Sequence, residues 1–529
     1  MSNSVNQARA MVKALIKHGV RQVVIAPGSR NAPLTMALAQ AASAELISLH
    51  TRIDERTAAF TALGLAKRQL RPVAVLTTSG TAATHLLAAA WEASEAGVPL
   101  LLLTADRPPS VRDRGANQTI LQAGLFGEAV RAEWDLPLAV SQDEAYWELA
   151  VAGAIAASMG DEFTAPGAVH LNIPFAEPLV PEVFDDAWLT GVTVGELTPA
   201  KLADEVSLAA LLTAEKLDVN SGLRGVVICS DPHSAIAARN LALSLGWPLL
   251  AEPGSNAAEA AVGVPDYATR SRELLDTNDF AVDVVVTAGR FGLSRTTSEL
   301  VKTASVHIAV GKFPLDADPF ESAKHHVLRM PDADIAPAAS EWLELWQSAS
   351  ANFNSDEFDF ESALLEVAKV ATNQDLVWFA ASKTVRFAEK VWPLTHKAMQ
   401  LMNRGTNGID GLIASATGAA LVHGGRTFLL MGDVAFLHDV SSLMLPSTEK
   451  LPDLTIVVFN NHEGAIFHGL EQGAAQYEAV YAKVFGTPQH HDLVKAAEAA
   501  NWKATKVSSL VDLNAALQHS GPNVVVVEL

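Results

Sequence analysis

Cysteine is all but missing from this chain: Cys229 is the single one in 529 residues. One thiol builds neither a disulfide framework nor a thiolate metal site within the chain, and its place in the apolar run GVVICS predicts a buried core thiol. Basic residues are also short, 38 Lys and Arg against 59 Asp and Glu, for a net charge of −21. A chain of that balance is poorly suited to phosphate backbones or anionic lipid, so neither nucleic acid nor a membrane is an expected partner. Long apolar runs are absent too. The longest uncharged stretch, Val73 to Trp91, is broken by Thr-Thr-Ser-Gly-Thr and His85, and reads as strand, turn and helix. The opening MSNSVNQARAMVKALIKHGV predicts an amphipathic helix, not a signal peptide. No Gly-x-Gly-x-x-Gly follows the first strand, which argues against a dinucleotide-binding dehydrogenase. The bounded expectation is a cytoplasmic protein of several domains.

What is present supports several cores: 49% of residues are apolar and 18% charged. Short β-branched runs alternate with Ala/Leu-rich helical stretches. In the first segment the expected strands are Gln22 to Ala26, Leu46 to Leu49, Pro72 to Thr77 and Pro99 to Thr104. Helices are expected over Thr57 to Lys67 and from Ser79-Gly80-Thr81 to Ala96. Strands apolar on both faces and separated by helices predict parallel sheets covered by helices. Pro174, Pro178 and Pro181 in NIPFAEPLVPE read as a linker. A second α/β segment has strands at Val226 to Cys229, Val282 to Thr287 and Ser305 to Val310. The polar stretch Ser348 to Glu357 marks a second boundary, and the last segment has strands at Leu376 to Phe379, Thr427 to Met431, Leu454 to Phe459 and Val524 to Val527. The expected fold class is α/β, with three doubly wound parallel-sheet domains over residues 1–182, 200–345 and 357–529.

Three local features carry chemistry. The strand TFLLM ends in Gly432-Asp433, and the next strand ends in Asn460-Asn461-His462-Glu463-Gly464. Carboxyl ends of parallel strands are where open α/β sheets bind ligands. A carboxylate, an amide oxygen and a backbone carbonyl are hard donors that suit Mg²⁺; read alone, the pair equally fits ordinary β-to-α turns. Asp54-Glu55 stands between a strand and a helix, as a functional carboxylate or a solvated helix start. Pro27-Gly28-Ser29-Arg30 and Ser79-Gly80-Thr81 are strand-to-helix turns of the kind that receives anions.

Together these features resemble the thiamine-diphosphate enzymes of the pyruvate-oxidase and decarboxylase type. Those have a pyrimidine-binding domain, a central domain and a diphosphate-binding domain, with a Gly-Asp then Asn-Asn metal motif. The runs APGSRNAP, DERTAAFTALGLAK, TTSGTA, ADRPP, GANQTI, GRFGLSR, NRGTNGIDG and GAIFHGLE are similar to one family among them. That family is the 2-succinyl-5-enolpyruvyl-6-hydroxy-3-cyclohexene-1-carboxylate (SEPHCHC) synthases of menaquinone biosynthesis. The resemblance implies decarboxylation of 2-oxoglutarate and 1,4-addition of the four-carbon acyl anion to isochorismate. It implies thiamine diphosphate and Mg²⁺ (or Mn²⁺) as cofactors, and a homodimer or homotetramer with sites between chains.

It also implies roles. Glu55 would serve the aminopyrimidine ring as the catalytic carboxylate, and Ile409 would support the bent cofactor. Asp433 of Gly432-Asp433, Asn461 and the backbone carbonyl of Glu463 would hold the metal; glutamate stands at that last position where the family pattern has glycine. Ser382, Arg386 and Arg404 would hold the 2-oxoglutarate part. Ser29, Arg30, Arg107 and Arg295 would hold isochorismate, since Arg suits bidentate carboxylate recognition. Gln118, with Asn117 beside it, would orient the reacting carbons, and Ile466 and Phe467 would exclude water. Two other readings stand beside this one. Another thiamine-diphosphate decarboxylase or carboligase would share Glu55, Asp433 and Asn461 but not need the four isochorismate groups together. A catalytically silent protein of the same fold would be expected to lack Glu55 or Asp433.

Overall fold

The computed structural model of the chain describes residues 3–140, 142–197, 204–257, 281–293, 295–313, 318–348, 357–393 and 396–529. Three parallel sheets flanked by helices make up the fold. The first contains β1 Gln22–Ile25, β2 Ser48–Thr51, β3 Val73–Thr77, β4 Leu100–Asp106, β5 Glu133–Asp135 and β6 Ala168–Pro174, in the order β2-β1-β3-β4-β6-β5. The second contains β7 Gly225–Cys229, β8 Leu249–Ala251, β9 Val284–Ala288, β10 Val306–Val310 and β11 Ala323–Val327, in the order β11-β10-β9-β7-β8. The third contains β12 Leu376–Phe379, β13 Met399–Leu401, β14 Thr427–Gly432, β15 Leu454–Asn460, β16 Lys503–Val507 and β17 Asn523–Glu528, in the order β13-β12-β14-β15-β17-β16. Each order runs outward in both directions from its first strand. A crevice therefore opens at the carboxyl ends of the first and third strands of each sheet, the usual ligand position in such folds. Central strands such as VAVLT and LTIVVFN are buried along their whole length, as two-sided helical cover requires. Cys229 is buried in β7, and burial pushes its thiol pKa up.

The chain forms two compact units. One holds Met1–Lys201 with Asn403–His423 and His438–Pro452; the other holds Leu202–Met402, Gly424–Leu437 and Asp453–Leu529. Several sequence expectations shift. The long helix after Ser79-Gly80 is two helices, Thr81–Thr84 and Leu87–Glu95, with His85 and Leu86 between them. The strand expected at Leu46 to Leu49 is Ser48–Thr51, because the chain still turns at Ala44 to Leu46. The proline-rich stretch is not a plain linker. Pro174 ends the buried strand β6, and the chain beyond it folds back so that Trp188, Val192, Val194 and Leu197 pack on the first unit's core. Residues 349–356 of the expected second boundary lie outside the described residues. No described helix is long and apolar enough to cross a membrane.

Candidate active site

In the first unit the expected residues gather along the carboxyl edge of the first sheet. After β2 the chain turns, and Asp54 caps the helix Glu55–Gln69 by accepting from the backbone N–H of Arg56 at 2.8 Å and of Thr57 at 3.3 Å. Glu55 is therefore the first helical residue. It is half-buried, and its carboxylate makes no hydrogen bond among the described residues. The turn is anchored from beneath by two residues that sequence reasoning missed. Arg52 is 1% exposed and donates from Nη1 to Glu449 Oε2 at 2.9 Å, while Glu449 Oε1 accepts from the Thr51 N–H at 2.8 Å. Burial pushes the Glu449 carboxyl up, but His50, the Thr51 N–H and Arg52 outweigh it and hold it below the ordinary range.

The helix Glu55–Gln69 packs on Leu412–Val422 within the same unit. The approach is close enough that a Cβ on Gly64 would overlap the Ser415 carbonyl, and one on Gly418 the Thr61 carbonyl. Leu412–Val422 follows the turn that bears half-buried Arg404 and Ile409. Glu92 holds the start of that turn. Its carboxylate accepts from the N–H groups of Gly405 at 3.0 Å and Thr406 at 2.7 Å, and pairs with Lys67 Nζ at 3.2 Å.

Ser29 and Arg30 follow β1. Ser29 is exposed; the Arg30 N–H reaches Thr78 Oγ1 at 3.2 Å, and a Cβ on Gly28 would overlap Thr78. The Arg30 guanidinium is buried and donates to the Phe175 carbonyl, just past β6, at 2.9 Å. Arg107 follows β4, the strand paired with β6. Burial first, and then the charge of Arg107, lower the Arg30 pKa against Glu177 and Asp106, and Arg107 Nε is buried without a hydrogen-bond partner among the described residues. Both arginines thus stand at the carboxyl edge of one sheet, where guanidiniums can engage an anion, and Glu177 Oε1 already lies 3.8 Å from Arg30 Nη2. Gln118 takes a left-handed backbone (φ +54°) and closes on the turn after β3: its Nε2 donates to the Ser79 carbonyl at 3.1 Å and its own carbonyl accepts from Ser79 Oγ at 3.0 Å. Asn117 beside it is exposed.

In the second unit Ser382 and Arg386 follow β12, and Arg386 Nη1 donates to the Ser382 carbonyl at 2.7 Å, so this pair is together as its spacing implies. Asp433 follows Gly432 at the end of β14, and Asn461 follows β15. The side chain hydrogen-bonded to the Asp433 carboxylate is one that sequence reasoning missed. Gln489 Nε2 donates to Asp433 Oδ2 at 3.0 Å and to Asn460 Oδ1 at 3.2 Å, whereas Asn461 is half-exposed and makes no side-chain hydrogen bond among the described residues. Burial pushes the Asp433 carboxyl up, against the Gln489 contact. The Asp433 carboxylate, the uncommitted Asn461 amide and the Glu463 carbonyl are oxygen donors at the ends of paired strands, a set whose chemistry fits a hard cation, while the Asn460 oxygen is engaged by Gln489. The Glu463 side chain does not crowd this set, since its Oε1 pairs with His468 at 2.7 Å; its carbonyl accepts from the Ala465 N–H at 2.9 Å. Ile466 and Phe467 lie on the turn Ala465–Gly469, half-exposed, with Phe467 5.7 Å from Phe485 between ring centres. Arg295 opens the helix Arg295–Thr303 and is exposed; the loop before it is held by Glu252, which accepts from the N–H groups of Gly292 and Leu293 at 2.9 and 3.0 Å. The four groups expected to hold isochorismate thus divide over the two units: Ser29, Arg30 and Arg107 in one, Arg295 in the other.

Comparison with known proteins adds an independent line. Residues 5–125 match the family model for the thiamine pyrophosphate enzyme N-terminal TPP binding domain, and residues 383–528 match that for the C-terminal TPP binding domain. The chain is 36% identical to the 2-succinyl-5-enolpyruvyl-6-hydroxy-3-cyclohexene-1-carboxylate synthase of Saccharopolyspora erythraea, over 100% of this chain and 96% of that protein. It is 38% identical to the protein of the same name from Thermobifida fusca, over 98% and 95% of the two chains. The same identity holds for the Nocardioides protein of that name, over 98% and 94%.

Proposed function

The chain belongs to the family of SEPHCHC synthases, which are thiamine-diphosphate-dependent enzymes, and from that premise we propose that it makes SEPHCHC for menaquinone in the cytoplasm. The reaction joins the four-carbon unit left after 2-oxoglutarate loses CO₂ to isochorismate by 1,4-addition. When bound, thiamine diphosphate supplies the electron sink that lets CO₂ leave. Glu55 holds a proton at the aminopyrimidine ring, and Ile409 supports the cofactor from the adjoining turn. Asp433, Asn461 and the Glu463 carbonyl would hold Mg²⁺, which would supply positive charge for the diphosphate. The first, central and last domains are residues 1–182, 200–345 and 357–529, and the active assembly is a homodimer or homotetramer. Each site in it takes Glu55 from one chain and Asp433 from another.

The remaining roles follow charge. Arg386 and Arg404, with Ser382, bind the two carboxylates of 2-oxoglutarate. Ser29, Arg30, Arg107 and Arg295 bind isochorismate, and Asn117 and Gln118 orient it. Ile466 and Phe467 keep water from the reacting carbon, so that the four-carbon unit is not released as succinic semialdehyde. The observation that carries the reading is the buried Arg30 guanidinium, seated by the Phe175 carbonyl at the end of β6, beside the end of β4 that bears Arg107, in a strongly acidic protein.

The test incubates purified protein with thiamine diphosphate, Mg²⁺, 2-oxoglutarate and isochorismate. Isochorismate absorbance is followed and the product identified by mass, with Glu55→Gln in parallel. Loss of isochorismate that needs 2-oxoglutarate, and falls on the order of 10²–10⁴-fold in Glu55→Gln, is expected. Release of CO₂ from a different 2-oxo acid, with isochorismate untouched, would assign the chain to the wider carboligase class instead.

A further inference from the structure

Below the strand ends that carry Arg107 and the Ser79-Gly80 turn lies a polar cluster that the reaction itself does not use. Thr104, Asp106, Gln122, His170 and Asn172 are all buried. Asn172 lies on β6 directly beside Thr104 of β4, and its amide is the hub. Oδ1 accepts from Thr104 Oγ1 at 3.1 Å and from Gln122 Nε2 at 2.9 Å; Nδ2 donates to Asp106 Oδ2 at 3.0 Å and to Asp135 Oδ1 at 2.8 Å. Every hydrogen-bonding direction an amide offers is in use.

Two arms leave the hub. In one, Gln122 Oε1 accepts from the Gly80 N–H at 2.9 Å, and the neighbouring Ser79 is bonded on both sides to Gln118. In the other, Asp106 Oδ1 accepts from the Arg107 N–H at 2.7 Å, and Asp106 Oδ2 pairs at 2.9 Å with Arg112, whose Nε donates to the Arg107 carbonyl at 3.4 Å. Arg107 is thus gripped at both its N–H and its carbonyl. Burying two amides, a carboxylate, a hydroxyl and an imidazole costs stability compared with an apolar core, and a network is rigid only when fully paired. Both arms of this one end at groups assigned to isochorismate, and neither ends at Glu55.

We propose that Asn172 is a positioning residue that sets Arg107 and the Ser79–Gln118 turn in register for the isochorismate half of the reaction; this rests on the functional reading above. Asn172→Asp keeps the shape but turns both donors into acceptors facing Asp106 and Asp135. Gln122→Met keeps the length and removes the bonds of Gln122 to Gly80, to Asn172 Oδ1 and to the Ala105 carbonyl, while the Asn172–Asp106–Arg107 bonds stay in place. In each, kcat/KM for isochorismate is expected to fall about tenfold or more, while CO₂ release from 2-oxoglutarate without isochorismate stays within about twofold of wild type. If Asn172→Asp does not fold, Gln122→Met carries the test alone. Unchanged kcat/KM for isochorismate, or an equal fall in both half-reactions, overturns the proposal. A wild-type protein that releases CO₂ from 2-oxoglutarate but never consumes isochorismate overturns the functional reading along with it.

Discussion

Burial and then the charge of Arg107 disfavour the Arg30 guanidinium, and Glu177, 3.8 Å from its Nη2, and Asp106 offset only part of that. Removing one charge should therefore relieve the folded protein and harm the reaction. Arg107→Met is expected to leave the unfolding temperature unchanged or higher, and to lower kcat/KM for isochorismate by roughly tenfold or more. Thermal scans and steady-state kinetics on one preparation check both halves, and a fall in stability would count against a functional origin of the pair. A second residue-scale prediction concerns His307 on β10. It bonds Thr287 Oγ1 at 2.8 Å and Ser322 Oγ at 2.9 Å, and burial drives its pKa from 6.5 down to about 4 despite Asp318. The folded imidazole stays neutral where the unfolded one takes up a proton. Its contribution is thus intact above about pH 6.5 and lost as pH falls towards about 4, by up to about 3 kcal/mol. His307→Gln should flatten the urea midpoint over that window relative to wild type. Residues of this scale were unevenly legible. The placement of Glu55 and Asp433 was legible because their neighbours in sequence are also their context, a strand end and a helix start, although that context alone left their roles open. Arg52, Glu449, Asn172 and Gln489 were not legible, because each takes its meaning from a partner far along the chain.

At the scale of elements, the helices Glu55–Gln69 and Leu412–Val422 touch backbone to backbone through Gly64 and Gly418. A side chain there meets carbonyl groups that cannot rotate away. Gly418→Val is expected to cost about 3–5 kcal/mol, whereas Gly424→Ala, which meets nothing within 4 Å, should stay within about 0.5 kcal/mol. Urea titration of the two variants decides this; equal effects would mean that the helix pair has room to separate. Most central strands were readable because burial on both faces leaves an unbroken apolar run, as in VAVLT or LTIVVFN, but β6 (AVHLNIP), equally buried, was not, since His170 and Asn172 interrupt its run. The edge strands β11 (AKHHV) and β16 (KATKV) were not, since a half-exposed edge alternates or carries Lys and reads as loop. Pro174 misled for a related reason: a proline at the last position of a strand looks the same in sequence as one that opens a linker.

At the scale of the molecule, sequence order and compact units part company. Asn403–His423 and His438–Pro452 join the first unit, held by ties such as Arg52–Glu449 and Glu92–Gly405 that no reading along the chain foresees. Glu55 consequently belongs to one unit and Asp433 to the other. If each active site takes its glutamate and its metal ligands from different chains, two inactive variants can mend each other. A dimer of one Glu55→Gln chain and one Asp433→Ala chain has one doubly damaged site and one with both residues intact. Random pairing makes half of all dimers mixed, so co-expression or co-refolding should restore about a quarter of wild-type activity. Each variant alone should stay near zero. Sites built within one chain would give no recovery at any mixing ratio, because every site would carry one of the two lesions. Running the mixture against a Glu55→Gln, Asp433→Ala double variant paired with wild type completes the comparison. That pairing places both lesions in one chain, so between-chain sites leave its mixed dimers without an intact site, whereas within-chain sites leave them half active.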